Sequence, residues 1–210
     1  MDKTETTVKA YNACAADFTA KFMDLALYKD SLNHFINLVP AGAKILDAGC
    51  GPGNIARLLL EKQKGFRVSG FDLSPEMVKL AINNVPGASF QIGDIRNLSS
   101  WEPGYDAIIA AFSIVHLSND ETLQFIRNVS CLLKAEGLFY LSCIQGDHAG
   151  YATTSFSRKE IYFNRFSRNF ILTALTGHNF NIVNTFSQAY PEPDGTTSTE
   201  LFFYARKMPL

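Results

Sequence analysis

A chain of 210 residues, 47% hydrophobic and 19% charged, is long enough to bury a full core as one domain, so no disulfide or metal staple is required. Nineteen Lys and Arg against 20 Asp and Glu leave a net charge of −1, which argues against a strongly basic nucleic-acid binder, though a local patch is not excluded. Cys14, Cys50, Cys131 and Cys143 form no CxxC pair, and His34, His116, His148 and His178 form no HxxxH, so no metal site is expected. Met1 to Lys9 is polar and lacks the apolar stretch of a signal peptide. The longest apolar run, Ala107 to Val115, is far below the ~20 residues that span a bilayer. The expectation is a soluble, cytoplasmic protein with reduced thiols and no membrane partner.

The opening third reads as helix. Val8, Tyr11, Ala15, Phe18, Phe22 and Leu25 recur at steps of three and four as one stripe, and a second stripe of Leu32, Phe35, Ile36 and Val39 stops at Pro40-Ala41-Gly42. Residues 1–42 are therefore expected to form an N-terminal helical lid, followed by a ligand-binding unit over 43–210. In that unit Lys44-Ile45-Leu46 reads as a strand, then comes a glycine loop, then a helix from Asn54 to Lys64. A second strand covers Arg67 to Phe71. Ser74 with Pro75 caps a helix running to Asn83. Ala88 to Ile92 is a third strand. Tyr105 to Ala111 is a fourth, apolar on both faces as a buried parallel strand should be. Ser118 and Glu121 form a capping box for a helix ending near Lys134, and Leu138 to Cys143 is a fifth strand.

Strands alternating with helical crossovers predict an α/β, doubly wound, mostly parallel sheet, with ligands bound beyond the carboxyl ends of the strands. The last quarter breaks the alternation. Ile144 to Ser155 reads as a loop. Ser157 and Glu160 read as a capping box, with an interrupted helix continuing to Leu175 and Gly177 as its C-cap. Phe180 to Phe186 and Leu201 to Ala205 read as strands joined across Pro191, Pro193, Asp194 and Gly195, which predicts a terminal antiparallel hairpin on the sheet edge.

The chemistry lies at the strand ends. In Asp47-Ala48-Gly49-Cys50-Gly51-Pro52-Gly53 an apolar strand ends in a carboxylate and three glycines precede a helix. Glycines let the chain turn with positive φ and let a ligand approach the backbone. A dinucleotide needs G-x-G-x-x-G, but Asn54 stands where the third glycine belongs. Asp47 would also lie near its phosphates; at ~4 Å and an effective dielectric near 20, two like charges repel by about 4 kcal/mol. A ligand with a cationic amino-acid end and no phosphate avoids this. S-adenosyl-L-methionine is such a ligand. Asp72 ends the second strand 25 residues after Asp47, where a carboxylate can accept both hydroxyls of a ribose. Asp94, after Gly93, reads either as a turn residue or as a carboxylate that can bond the exocyclic amine of adenine, with the Ile95 N–H toward a ring nitrogen. Cys50 reads as a small residue filling the loop.

Asp47 to Gly53, Asp72, Asp94, Tyr105 to Ile109 and Leu132 to Leu138 together resemble the ordered motifs of class I S-adenosylmethionine-dependent methyltransferases over roughly residues 43–143. The resemblance implies a seven-stranded, Rossmann-like sheet. It implies that Asp47, Gly49, Gly51 and Gly53 hold the methionine end, that Asp72 binds ribose, that Leu73 and Met77 flank the adenosine, and that Asp94 and Ile95 hold adenine. Ala111 and Phe112 would line the sulfonium side, and Tyr11 would close over the cofactor. In this family an Asn-Pro-Pro-Tyr-type segment after the fourth strand marks many enzymes that act on nucleic acid or protein. Phe112-Ser113-Ile114 stands there instead, which tilts the acceptor toward a small molecule.

Methyl transfer is an in-line displacement that depends mainly on alignment. His116, just past the fourth strand, is the candidate general base, or else an acceptor contact or a packing residue. Tyr151, His148, Tyr162 and Arg165 are candidates for shaping the acceptor pocket, Arg165 by pairing a carboxylate or phosphate. No G-x-S-x-G elbow and no P-loop occur. The competing readings are a catalytically silent binding module for the same cofactor and a nicotinamide-dependent oxidoreductase.

Overall fold

The computed structural model describes residues 2–154, 156–192 and 195–209. Two helices, α1 (Lys3–Phe22) and α2 (Lys29–Leu38), precede β1 (Lys44–Ala48), α3 (Asn54–Glu61), β2 (Arg67–Asp72), α4 (Pro75–Asn84), β3 (Ser89–Ile92) and β4 (Tyr105–Ala111). After a single 3-10 turn (Ile114–His116) come α5 (Asn119–Leu132), β5 (Leu133–Ile144), β6 (Ala149–Thr154), β7 (Ser157–Asn164), α6 (Arg168–Gly177), β8 (Phe180–Pro191) and β9 (Thr197–Lys207).

Among the described residues seven strands form one sheet in the order β3-β2-β1-β4-β5-β9-β8. The first five are mutually parallel, and β9 runs antiparallel between β5 and β8. The expected doubly wound sheet with a terminal antiparallel pair is therefore present. The strand order reverses between β1 and β4, and their carboxyl ends flank the crevice where such sheets bind ligands.

Period-2 alternation divides the core. In β4, Ala107 and Ile109 face the layer of α2 and α3, whereas Ile108 and Ala110 face α5 and α6. In β9, Phe202 and Tyr204 point to the first layer and Leu201, Phe203 and Ala205 to the second. Both sides are covered, so the central strands read as continuous apolar runs. Helix α2 is an integral part of this core. Phe35 is fully buried against the Tyr140 and Tyr204 rings at 5.4 and 5.5 Å. The Tyr204 hydroxyl donates to the Ser31 carbonyl at 2.6 Å and the Tyr140 hydroxyl bonds the Ser31 hydroxyl at 3.1 Å, which satisfies two phenols that burial would otherwise penalise.

The helix starts follow their caps. The Met77 N–H donates to Ser74 Oγ at 3.2 Å with Pro75 in the first turn. Ser118 and Glu121 close both halves of the capping box, at 3.3 and 2.7 Å. The expected helix from Ser157, by contrast, is a strand. Ser157 Oγ accepts from the Lys159 N–H at 3.1 Å, two residues on, not from Glu160, and Ile161-Tyr162-Phe163 pair with Gly150-Tyr151-Ala152 in a hairpin. The β-branched and aromatic run prevailed over the cap-like spacing because it packs as a pleated surface against α1. Likewise the expected loop from Ile144 is mostly strand, the end of β5 and then β6 over Ala149–Thr154, with only 145–148 connecting them, while the helix toward Leu175 starts at a different cap, Ser167. Strand β8 outruns the expected Phe186 at its carboxyl end, and β9 outruns Leu201 to Ala205 at both ends. Pro193 and Asp194 of the expected turn, and Ser155 at the end of the expected loop, lie outside the described residues. No described helix is long and apolar enough to cross a membrane.

Helix α1 straps across the carboxyl end of the sheet. Its start is tied down by a Lys3–Glu121 ion pair and by Arg96, which donates to Thr4 Oγ1 at 2.9 Å. Near its end, Asn54 donates to the Phe22 carbonyl at 3.1 Å and Arg57 to the Met23 carbonyl. The apolar stripe of α1 therefore faces the crevice and the β6–β7 hairpin.

Candidate functional site

Strand β1 delivers Asp47 to the bottom of the crevice, fully buried, and neither carboxylate oxygen has a hydrogen-bond partner. Burial, together with the charge of Asp72, pushes its pKa up to about 7. The loop beyond it is laced to β2, with the Gly49 and Cys50 N–H groups both donating to the Phe71 carbonyl at 2.9 Å. Gly49 has φ +80°, and a Cβ there would lie 2.5 Å from Ser113 Cβ, so glycine is required for both conformation and space. Gly53, at φ +85°, caps α3 and packs on α4. Cys50 fills the space above Gly70, where a Cβ would come within 2.9 Å of its own, and burial holds its thiol well above the ordinary range. That is the filler expected of it, not a thiolate.

Asp72 ends β2 and is oriented by backbone donors, Gly51 N–H at 3.0 Å and Ser74 N–H at 2.9 Å. Its burial raises its pKa despite them. Asp94 is buried enough to be pushed upward, but the Arg96 fork, at 2.7 and 3.0 Å, pulls it below the usual carboxylate range. Asp94 thus holds Arg96, and Arg96 holds the start of α1, a coupling not read from the sequence.

Two cavities meet at the strand ends. One, of about 180 Å³, is lined by Asp72, Leu73, Met77, Asp94, Ile95 and His116. The other, of about 590 Å³, opens toward the β6–β7 hairpin and β9. Tyr11, Phe18, Gly49, Gly51, Ala111 and Phe112 line both, so the junction lies above the glycine loop. Phe112 holds φ +53° there, with its N–H on the Ser142 carbonyl and hydroxyl at 3.2 and 3.1 Å. A non-glycine residue so placed stores strain that its neighbours must hold. Every candidate cofactor position named from the sequence, and His116, thus gathers around one crevice, with Asp47 and Gly53 beneath its surface.

His116 is half-buried and bonded at both nitrogens. Nδ1 lies 2.8 Å from the Tyr162 carbonyl and Nε2 lies 3.0 Å from the Tyr11 hydroxyl. A carbonyl only accepts, so Nδ1 carries the proton and Nε2 accepts from Tyr11. Burial lowers the His116 pKa to about 4.

The crevice fits a ligand with three parts. An ammonium would compensate the partnerless Asp47 carboxylate, a ribose would meet Asp72, and a flat base would enter the slot between Leu73, Met77 and Ile95. A diphosphate over Gly49 to Gly53 would instead face the Asp47 charge. A family described as "Methyltransferase domain" matches residues 45–137, which run from within β1 to the start of β5 and include Asp47, Asp72 and Asp94. Residues 45–137, a little under half of the chain, are thus similar to a methyltransferase domain.

Among curated relatives, a demethylmenaquinone methyltransferase of Thermotoga maritima is 32% identical over 94 residues, 45% of this chain and 40% of that protein. A ubiquinone biosynthesis O-methyltransferase of Xanthomonas campestris is 29% identical over 116 residues, 53% of this chain and 47% of that protein. The chain thus spans about half the length of the curated relatives it matches. Among solved structures, an S-adenosylmethionine-dependent methyltransferase from Methanosarcina mazei superposes with TM-score 0.72 at 19% identity, covering 83% of this chain and 96% of that one. Magnesium protoporphyrin IX methyltransferase from Synechocystis, crystallised with bound S-adenosylmethionine, superposes with TM-score 0.71 at 17% identity over 99% and 98% of the two chains. The seven-stranded sheet and its flanking helices therefore share the fold of these two structures.

Around residues 45–137 the structure adds residues that the sequence did not assign to the crevice. Phe18, Phe22, Tyr28, Tyr140, Phe156 and Glu200 all line the larger cavity. Phe18 and Phe22 belonged to the visible stripe of α1, but periodicity cannot distinguish a face on a core from a face on a cavity. Of the expected acceptor residues, Arg165 lines this cavity, Tyr151 and His148 point to solvent, and Tyr162 contributes its carbonyl to His116.

Proposed function

We propose that the protein is a methyltransferase that binds S-adenosyl-L-methionine in the smaller cavity and over the glycine loop, and methylates a small molecule held in the larger one. The observation that carries this reading is the Asp47 carboxylate, fully buried and without a partner at the mouth of a glycine loop. It costs free energy until a cation reaches it. Asp47 would take the ammonium, Asp72 the ribose hydroxyls, and Leu73, Met77 and Ile95 the adenine faces. When bound, the cofactor supplies a methyl group already activated on cationic sulfur.

The protein's part is alignment and exclusion of water. Tyr11, Phe18 and Phe112 stand at the junction of the cavities and enclose the transfer path. No nucleic-acid partner and no membrane partner is proposed, and the site is read as acting on soluble small molecules in the cytoplasm. Calorimetric titration with S-adenosylmethionine and S-adenosylhomocysteine tests the reading. Micromolar binding of both is the expected result, and no heat with either up to millimolar concentration overturns it.

His116 is read as a positioning residue. Its Nε2 lone pair is committed to the Tyr11 hydroxyl, and its pKa of about 4 leaves it neutral at every pH of ordinary assay. Its charge change therefore places no inflection between pH 5.5 and 8 in a pH–rate profile. Tyr11→Phe and His116→Gln should each weaken S-adenosylhomocysteine several-fold. Since both break one hydrogen bond of about 1 kcal/mol, the double variant should be little worse than either single one. Fully additive losses, or a wild-type rate inflection near pH 6.5 that vanishes in His116→Gln, would return His116 to the role of base.

A further inference from the structure

The larger cavity continues past the junction to a far wall on which Arg165 sits. Its backbone is locked beside the carboxyl end of β5, with Arg165 N–H donating to the His148 carbonyl at 3.1 Å and Phe166 N–H to the Ile144 carbonyl at 2.9 Å. Its stem lies across Gly146, where a Cβ would come within 2.7 Å of Arg165 Cβ and 3.0 Å of its Cδ. Only a glycine at 146 leaves that path open. The guanidinium is half-buried and, among the described residues, has no ion pair and no hydrogen bond. By contrast, Arg96 is held by Asp94 and Arg168 by Thr185.

The opposite charges on the cavity wall are Glu200 and Glu192. Glu200 lies across Ile144 on β9 and already accepts from the Tyr28 hydroxyl at 2.9 Å and from Gln188 at 2.8 Å. That leaves a guanidinium with its planar fork of donors free, in a cavity walled by Tyr11, Phe156, Phe163 and Tyr190. Aromatic walls favour a flat apolar body, and an unpaired guanidinium fork favours a carboxylate, sulfonate or phosphate.

We infer that the acceptor is a flat, mainly apolar molecule bearing an anionic group, which Arg165 holds while the rest of the molecule lies against the aromatic walls. This rests on the reading of the larger cavity as the acceptor pocket. Glu200 and Glu192 repel any second anionic group, which confines the acceptor's negative charge to the Arg165 end.

Three fluorescent probes of similar size test it: the anionic 8-anilinonaphthalene-1-sulfonate, the neutral N-phenyl-1-naphthylamine and the cationic thioflavin T. Each is titrated onto wild-type protein, Arg165→Gln and Gly146→Ala, with and without saturating S-adenosylhomocysteine. The expected result is that wild type binds the anion about tenfold or more tightly than the neutral probe. Arg165→Gln should remove that advantage while leaving the neutral probe and the calorimetric heat of S-adenosylhomocysteine unchanged. Gly146→Ala, which displaces the arginine stem, should change the anion in the same direction. Equal binding of anion and neutral probe, preference for the cation, no effect of Arg165→Gln, or no binding by any probe overturns the inference. Absence of heat with S-adenosylhomocysteine overturns the cofactor reading instead, and the probe series on unloaded protein still decides the pocket.

Discussion

Asp47→Asn is expected to weaken S-adenosylhomocysteine binding by at least a factor of about 100 while making the free protein more stable. The two effects have one cause. In the free protein the carboxylate is buried without a partner, so it destabilises the fold; in the complex it would face an ammonium, and a buried pair broken from one side costs about 3–5 kcal/mol. The sign of the pH dependence follows. The folded pKa of about 7 stands above the ordinary 3.8. Between those values the folded state binds more protons than the unfolded one, so stability falls as pH rises through that window. At and above neutrality the accumulated cost is up to about 4 kcal/mol, at 1.36 kcal/mol per unit. Urea titrations at pH 5 and pH 8 should show wild type losing stability with pH and Asp47→Asn losing much less. Cofactor affinity runs the other way. Binding requires the ionised carboxylate, so the dissociation constant should rise about tenfold per pH unit below 7, with nearly one proton released on binding at pH 6. Affinity that is flat from pH 5 to 8 would mean that Asp47 is not opposite a charge.

Gly49→Ala should destabilise the protein by about 3 kcal/mol, lowering Tm by roughly 6–12 °C for a chain of this size, and abolish detectable cofactor binding. A left-handed φ costs about 1–2 kcal/mol for a residue with a Cβ, and overpacking adds about 1–3 kcal/mol. The atom met at 2.5 Å is Ser113 Cβ, close to the backbone of a segment already strained at Phe112, so it cannot swing aside. Gly150→Ala is the matched control, because a Cβ there meets nothing within 4 Å. Thermal denaturation of the two variants side by side separates a site-specific requirement from a general intolerance of alanine. Equal Tm values would remove the steric argument.

The parts of the fold legible in the sequence are those whose cause is local. Ser74-Pro75 and Ser118-x-x-Glu121 announce helix starts because the groups that close each cap lie within one turn. Tyr105 to Ala111 announces a buried strand because both faces are apolar. The crevice was legible for a related reason. In a parallel sheet, a residue at the carboxyl end of a strand is on the ligand side whatever its neighbours are, so Asp47, Asp72 and Asp94 are placed by strand ends alone.

Ser157 to Asn164 shows where this fails. The Ser157–Glu160 spacing is a cap signal, and the Ile161 to Phe163 run is a strand signal. Which one prevails depends on whether a partner strand and a helix face are there to receive it. Gly150 to Ala152 and α1 are both present, and no window of local sequence contains that information.

What the sequence alone determined, then, is the parallel α/β architecture and the glycine loop with its acidic neighbours at the strand ends; each rests on short-range patterning. What only the tertiary structure decided is the use of the remaining surfaces. Folding brings Tyr11 to His116 across 105 residues and Tyr28 to Glu200 across 172, turns the α1 stripe toward a cavity, and leaves the Arg165 guanidinium without a partner among the described residues. Such outcomes depend on which distant groups share a low-dielectric space, and that is settled by packing, which has no period along the chain.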